Sequence, residues 1–244
     1  MLQFQRDPRI NITLFLLALM GTVIAQVKGW HGLEFVCRPA MMVILSFWFY
    51  HNSRRFGDRF TLLVQGGLFF SLVGDIAFMF QHVDEFNFLL GIAALLIAQL
   101  FYTLAFAQNA VDVGDLDGLF VSLLLAVGIV AYGFFFSYDL MRYLDGDIAI
   151  PVLAFMITAV LMGIGAGLRF KRTFPRSFWI VLIGALLFIV SDSLLVRDRF
   201  ARPIAYGNVM IMLTYGTAQL LFAAGSLFHV LDPEEIKRRQ ALRT

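Results

Sequence analysis

Long apolar runs alternate with short polar segments along the whole chain. Each run approaches the ~20 residues that a helix needs to cross ~30 Å of hydrocarbon, and none alternates as a membrane β-strand does. The pattern therefore predicts an all-α, polytopic transmembrane bundle of eight helices. These cover residues 10–27, 33–50, 60–80, 86–107, 117–136, 148–168, 177–196 and 206–231. We expect a single transmembrane domain over 1–231, followed by a short basic tail over 232–244.

Composition excludes several classes of protein. Hydrophobic residues make up 60% of the 244 residues and charged residues 15%, against about 45–50% and about 25% in soluble domains. One water-soluble core cannot bury such an excess, so a soluble enzyme and a disordered chain are excluded. The net charge of +2 argues against a nucleic-acid partner. The lone Cys37 excludes an internal disulfide, and the sequence contains no P-loop, dinucleotide or zinc-type histidine motif.

Basic residues fall unevenly on the two sides of the predicted bundle. Thirteen lysines and arginines, Arg6, Arg55 and Arg243 among them, lie on the side of the two termini, and five lie in the opposite loops. Cytoplasmic loops carry the excess of positive charge in membrane proteins. We therefore expect both termini to be cytoplasmic in an integral multi-pass protein of a bacterial inner membrane.

Two stretches of the chain are similar to each other. Residues 67–75 in helix three match 184–192 in helix seven, and the Ala-Gln-Leu triplet at 98–100 recurs at 218–220. The order of the matches is the same in both halves. We predict two four-helix repeats related by a pseudo-twofold axis along the membrane normal, with chance similarity in an apolar sequence as the alternative. The repeats would cover about 10–107 and about 117–231.

Two aspartates inside the predicted helices are the first candidates for function. A carboxylate deep in a membrane helix costs roughly 2.5–3.5 kcal/mol, and Asp75 and Asp192 each lie roughly 6–8 Å inside a predicted helix end. Both ends are on the outer side, opposite the termini. Such residues usually face the bundle interior and mark a site. Around a pseudo-twofold axis the two aspartates could face each other, and simple capping or pairing with an arginine is the alternative.

Arg38 begins helix two on the same outer side. It could offer a cation to a phosphate or to one of the aspartates, because arginine binds phosphate through two parallel hydrogen bonds. Glu34 lies four residues earlier on the same helix face, so a local ion pair is the alternative.

Uncharged polar residues form stripes on two further helices. Helical periodicity places Asn208, Tyr215 and Gln219 in one stripe of helix eight, and Gln99 and Tyr102 on one face of helix four. Ordinary hydrogen bonds between helices would explain these positions. A wet pocket that converges with the aspartates is the functional interpretation.

Several short motifs in these helices form a known pattern. They are the Val-Gly-Asp at 73–75, the segment 188–193 around Asp192, the Arg-Pro at 38–39, and the pairs Tyr102/Phe106 and Tyr215/Gln219. Together they resemble the YhhN-like lysoplasmalogenase family over nearly the whole chain. The resemblance implies an eight-helix membrane hydrolase that cleaves the vinyl ether bond of lysoplasmalogens. The products are a fatty aldehyde and a glycerophospho-ethanolamine or -choline, and Asp75 and Asp192 match the family's catalytic pair.

Two positions depart from the family pattern. A lysine often stands where this chain has Arg38, and that replacement keeps the charge. A histidine stands where this chain has Gln99, and that replacement removes a titratable group. A proton-transfer role for residue 99 is therefore not carried over to this chain.

Vinyl ether hydrolysis suits a pair of carboxyl groups. The reaction begins with proton transfer to carbon, and water then captures an oxocarbenium ion. One carboxylic acid would donate the proton, and one carboxylate would stabilise the cation or activate water; the sequence does not say which aspartate has which role. No cofactor is required. The residues expected to bind the lysophospholipid within the bilayer are Arg38, Gln99, Tyr102, Asn208, Tyr215 and Gln219.

A protein of another class would share some of these features. Parallel repeats with paired acids also describe a proton-coupled transporter or a lipid-binding membrane protein. A carrier is expected to have polar access from both faces, whereas the acids here cluster toward the outer side. This favours a one-sided site and leaves transport as the alternative.

Overall fold

The computed structural model describes residues 7–54, 57–111, 118–144 and 146–241. Arg6, Arg55 and Arg243 of the charge count lie outside the described residues, as does residue 117, the predicted start of helix five. In the described ranges the regular elements are all helical. Eight of the helices are long and apolar enough to cross a membrane, which confirms the predicted all-α bundle of a multi-pass membrane protein.

The helices differ from the predicted spans mainly at their ends. They are α1 (Pro8–Lys28), α2 (His31–Ser53), α3 (Arg59–Met79), α4 (Glu85–Val111), α5 (Leu119–Leu140), α6 (Gly146–Gly167), α7 (Pro175–Val196), α8 (Gly207–Val230) and α9 (Pro233–Ala241). Helices four and five end at Val111 and Leu140, each four residues after the predicted ends at 107 and 136. Hydropathy marks only the apolar part of a helix, and its backbone hydrogen bonds continue through polar residues beyond that part. Part of the predicted tail forms α9.

Aspartate side chains cap the N-termini of α1 and α3. Asp7 precedes α1 and accepts a hydrogen bond from the Arg9 amide at 2.9 Å, and Asp58 precedes α3 and accepts one from the Thr61 amide at 3.2 Å. Such caps satisfy amide groups that have no partner within the helix. Because successive spans run in opposite directions, α1, α3, α5 and α7 all end on the side opposite the termini, which we call the outer end.

The helices pack in two similar sets. The most extensive pairs are α3 with α4 and α7 with α8; α4 also contacts α6, as α8 contacts α2. Glycines allow the closest approaches, because a Cβ added at Gly67 would lie 2.5 Å from the Tyr102 ring and one at Gly184 would lie 3.0 Å from the Phe222 ring. These matching contacts support the predicted internal repeat. The repeat and the cytoplasmic location of the termini remain predictions.

An aromatic cluster fills the space between α4, α7 and α8. The Tyr102 and Phe222 rings lie 4.7 Å apart between centroids, and the Phe188 and Phe222 rings 5.8 Å apart. Asp192 follows Phe188 by one turn of α7, and Asp75 lies one turn before the end of α3. Both aspartates are therefore placed toward the outer end of the bundle.

Candidate active site

A polar cavity of about 270 Å³ lies at the outer end, between the ends of α1 and α3 and the starts of α2 and α8. Gly29 makes this arrangement possible, because its φ of 68° ends α1 and allows α2 to begin two residues later. Such a left-handed conformation favours glycine. The polar and charged residues that line the cavity are Gln26, His31, Glu34, Arg38, Gln81, His82 and Asn208.

Arg38 connects this cavity to the first aspartate. Its Nε donates a hydrogen bond to Asp75 Oδ1 at 3.2 Å, and its Nη1 lies 3.7 Å from Glu34 Oε1. The Asp75 side chain is only 2% exposed, and that of Arg38 is 12% exposed. The two interpretations of Arg38, pairing with Glu34 and pairing with an aspartate, therefore both apply.

Tyr215 and Gln219 tie α8 to α3. The Tyr215 hydroxyl donates a hydrogen bond to Asp75 Oδ2 at 3.1 Å. One turn further along α8, Gln219 Nε2 donates to Ser71 Oγ at 2.8 Å, and Gln219 Oε1 accepts from the Tyr102 hydroxyl at 2.7 Å. The polar stripe of helix eight thus faces the bundle interior below the cavity, and Asn208 lies exposed at the cavity itself.

Asp192 has different surroundings. Gln99 Nε2 donates a hydrogen bond to Asp192 Oδ2 at 2.7 Å, and the Thr158 hydroxyl donates to Gln99 Oε1. Asp192 is 1% exposed. Among the described residues, no arginine or lysine pairs with Asp192, and no hydrogen bond reaches its Oδ1. This carboxyl group is thus held by one neutral amide.

The two aspartates belong to separate hydrogen-bond networks. In the ranges that the structure covers, no hydrogen bond joins Asp75 to Asp192. Aromatic packing lies beside both, because the Tyr215 ring lies 5.6 Å between centroids from the ring of Phe188, one turn before Asp192 on α7. Neither carboxyl group faces lipid, since both are buried inside the bundle.

The predicted site residues fall into three groups. Arg38 lines the cavity and lies together with Asp75 and Tyr215, Gln99 joins Asp192, and Tyr102 joins Gln219, whereas Asn208 lines the cavity apart from these groups. Gln99 and Tyr102 share a face of α4 but contact different partners.

Sequence reasoning missed Ser71, Thr158, Gln26 and His31. Ser71 precedes Asp75 by one helical turn, a spacing that could have identified it. The other three carry no such signal. Among the described residues, no group of three histidine, cysteine or acidic side chains is placed to hold a metal ion.

Known proteins are similar in sequence to this chain over most of its length. The sequence profile of the YhhN family matches residues 33–226. Lysoplasmalogenase TMEM86B of Homo sapiens is 30% identical over 202 residues, which are 82% of this chain and 76% of that protein. Lysoplasmalogenase TMEM86B of Rattus norvegicus is 29% identical over 199 residues, 82% and 74% of the two chains. Lysoplasmalogenase TMEM86A of Bos taurus is 29% identical over 166 residues, 66% and 63%. No solved structure gives a significant match.

Proposed function

The chain belongs to the YhhN family, and on this premise we propose that it is a membrane-embedded hydrolase that cleaves the vinyl ether bond of lysoplasmalogen-type lysophospholipids. The single observation that carries the proposal is the pair of buried aspartates at the outer end, one of them linked by Arg38 to a polar cavity. Three relatives named lysoplasmalogenase support the choice of substrate.

The proposed reaction consumes one molecule of water. A carboxylic acid transfers its proton to the alkenyl carbon that is not bound to oxygen, which leaves an oxocarbenium ion at the ether carbon. Water adds to this ion and loses a proton to the protein, giving a hemiacetal. The hemiacetal hydroxyl then loses its proton as the bond to the glycerol oxygen breaks, the glycerol oxygen takes up one proton in exchange, and a fatty aldehyde is released. General acid catalysis of this kind contributes about 10²- to 10⁴-fold to a rate.

We assign the acid role to Asp192 and the anion role to Asp75. The cation of Arg38 and the hydroxyl of Tyr215 both contact Asp75, a setting suited to a carboxylate that stabilises positive charge and orients water. Among the described residues Asp192 has only the amide of Gln99 as a partner, and none of them donates a hydrogen bond to its Oδ1. That setting suits an acid that gives a proton to carbon.

Substrate contacts are divided between the cavity and the interior. Arg38 and Asn208 line the cavity and are proposed to bind the headgroup, and Tyr215 is proposed to contact the glycerol. Gln99, Tyr102 and Gln219 are fully buried with protein partners. For these three we propose a positioning role instead of direct contact with the lipid.

Aldehyde release by the purified protein tests this function. The substrate is a 1-alkenyl-glycerophosphoethanolamine in detergent micelles, and the matched control is its 1-alkyl analogue, which lacks the double bond. We expect fatty aldehyde from the alkenyl lipid only, and none from the Asp75→Asn/Asp192→Asn double variant. If the wild-type protein releases no aldehyde, the proposal is wrong and proton-coupled transport becomes the function to test.

A further inference from the structure

Glu34 is a carboxylate in the cavity that vinyl ether hydrolysis does not use. Its Oε1 accepts a hydrogen bond from Gln26 Nε2 at 3.1 Å and lies 3.7 Å from Arg38 Nη1. These two contacts fix the side chain, which is 20% exposed. Among the described residues nothing donates to its Oε2. One oxygen of Glu34 is therefore available to a ligand in the cavity.

The charges at the cavity match a zwitterion. Arg38 is the only arginine or lysine among the described residues that line it, and Glu34 lies one turn away on the same face of α2. Asp75 also pairs with Arg38. The side chains of Glu34, Arg38 and Asp75 together carry one net negative charge when both acids are ionised. His31 and His82 stand near the cavity mouth with rings 6.3 Å apart. An anionic ligand alone would leave Glu34 facing a like charge.

The size of the cavity also favours a headgroup. Its volume of about 270 Å³ is below the roughly 300–1,000 Å³ of pockets that enclose drug-sized ligands. A phosphate group with a short amine chain would fit a cavity of this volume, whereas a whole lysophospholipid would not. The phosphate can contact Arg38 while the amine contacts Glu34, and charged hydrogen bonds of this type are stronger than neutral ones.

We propose that Glu34 binds the ammonium group of the substrate headgroup. The cavity then selects alkenyl lysophospholipids with a cationic headgroup over those that end in a phosphate monoester. This inference rests on the proposed function, because the cavity is taken to be part of the same site.

The test compares two substrates and two variants. The substrates are 1-alkenyl-glycerophosphoethanolamine and 1-alkenyl-glycerophosphate, which differ in the amine. Glu34→Gln removes the charge and keeps the shape; Glu85→Gln is the matched control. Glu85 lies in the first turn of α4 at the same end of the bundle, pairs with Arg199 at 3.8 Å, and is 63% exposed outside the cavity. Aldehyde release is measured for each protein with each substrate.

We expect the wild-type protein and Glu85→Gln to prefer the amine-bearing lipid in kcat/KM. Glu34→Gln should reduce that preference about tenfold or more, the scale of a hydrogen bond between charged groups, through a higher KM for the amine-bearing lipid only. Glu34→Asp should retain part of the preference.

An equal loss for both substrates in Glu34→Gln would mean that Glu34 only positions Arg38, and the inference would be overturned while the proposed function stands. An unchanged preference in Glu34→Gln overturns the inference in the same way. Absence of aldehyde from both substrates with the wild-type protein overturns the proposed function together with the inference.

Discussion

Arg38 holds Asp75 through a hydrogen bond of 3.2 Å, and no comparable cation reaches Asp192 among the described residues. The two aspartates occupy similar positions near the ends of α3 and α7, yet their partners differ in charge. A pair of carboxyl groups divides acid and base roles when its members have different environments. This difference is the physical basis of the proposed division of roles.

The charge of Arg38 is expected to matter more than its shape. Arg38→Gln leaves Asp75 buried without a cation, and we expect kcat to fall about 100-fold, because the negative charge that the proposed reaction needs at Asp75 is then no longer stabilised. Arg38→Lys keeps the charge but loses the planar fork, so kcat should fall about tenfold. Steady-state aldehyde release measures both. Equal activity of the two variants would contradict this account of Arg38.

Gln99 is expected to position Asp192. Gln99→Leu removes the donor to Asp192 Oδ2, so kcat should fall by up to about tenfold while KM changes less than twofold; a hydrogen bond between neutral groups contributes about 0.5–1.5 kcal/mol. Gln99→His restores a donor and should recover most of kcat. A general loss of packing would instead lower kcat and thermal stability to the same extent in both variants. That result would argue against a positioning role for Gln99.

The bond between Tyr102 and Gln219 is expected to stabilise the fold. Tyr102→Phe leaves the buried Gln219 Oε1 without its donor, which should lower the free energy of unfolding by about 1–3 kcal/mol. Tyr132→Phe is the control, because the Tyr132 hydroxyl also donates to a side chain, Ser193 at 2.9 Å, but the residue is 43% exposed. Thermal unfolding in detergent should separate the two variants. Similar small losses in both would contradict the prediction.

The sequence predicted the helices more completely than the site. Eight spans follow from apolar runs, and the resemblance to the family is confirmed by the comparisons. Asp75 and Asp192 were identifiable because charge inside a membrane helix is costly. Arg38, Gln99 and Tyr215 were also candidates, but which of them pairs with which aspartate was not predictable, because residues one turn apart can face different helices. Gln99 reaches Asp192 on α7, whereas Tyr102 on the same face of α4 reaches α8.

Arg169 is a buried cation at the other end of the bundle, beyond the end of α6. It is 0% exposed; its Nη2 donates to Ser177 Oγ at 2.9 Å, its Cζ lies 5.4 Å from the centroid of the Phe106 ring, and among the described residues its Nε and Nη1 have no hydrogen-bond partner. Burial lowers the pKa of Arg169 to about 9. Since the unfolded chain keeps this proton to a pKa above 12, the native state binds fewer protons above about pH 9. Above about pH 9, Arg169 should therefore make the free energy of unfolding rise with pH.

Replacement of Arg169 tests this pH dependence. We expect Arg169→Met to raise the melting temperature at pH 7, because a buried charge that has no anionic partner among the described residues is removed, which outweighs the lost contacts with Ser177 and Phe106. The gain over the wild-type protein should shrink as the pH rises above about 9. Arg176→Met, in the adjacent first turn of α7, controls for the loss of one positive charge. A lower melting temperature for Arg169→Met at pH 7 would show that the guanidinium is compensated.

The most direct test of the central claim is aldehyde release from a lysoplasmalogen by the single variants Asp75→Asn and Asp192→Asn. The matched control is Asp84→Asn, at an exposed aspartate of the outer end that caps α4. We predict that the control keeps wild-type activity, and that each site variant folds but loses at least about 100-fold in kcat. A folded Asp192→Asn protein that keeps more than half of the wild-type rate would contradict the account.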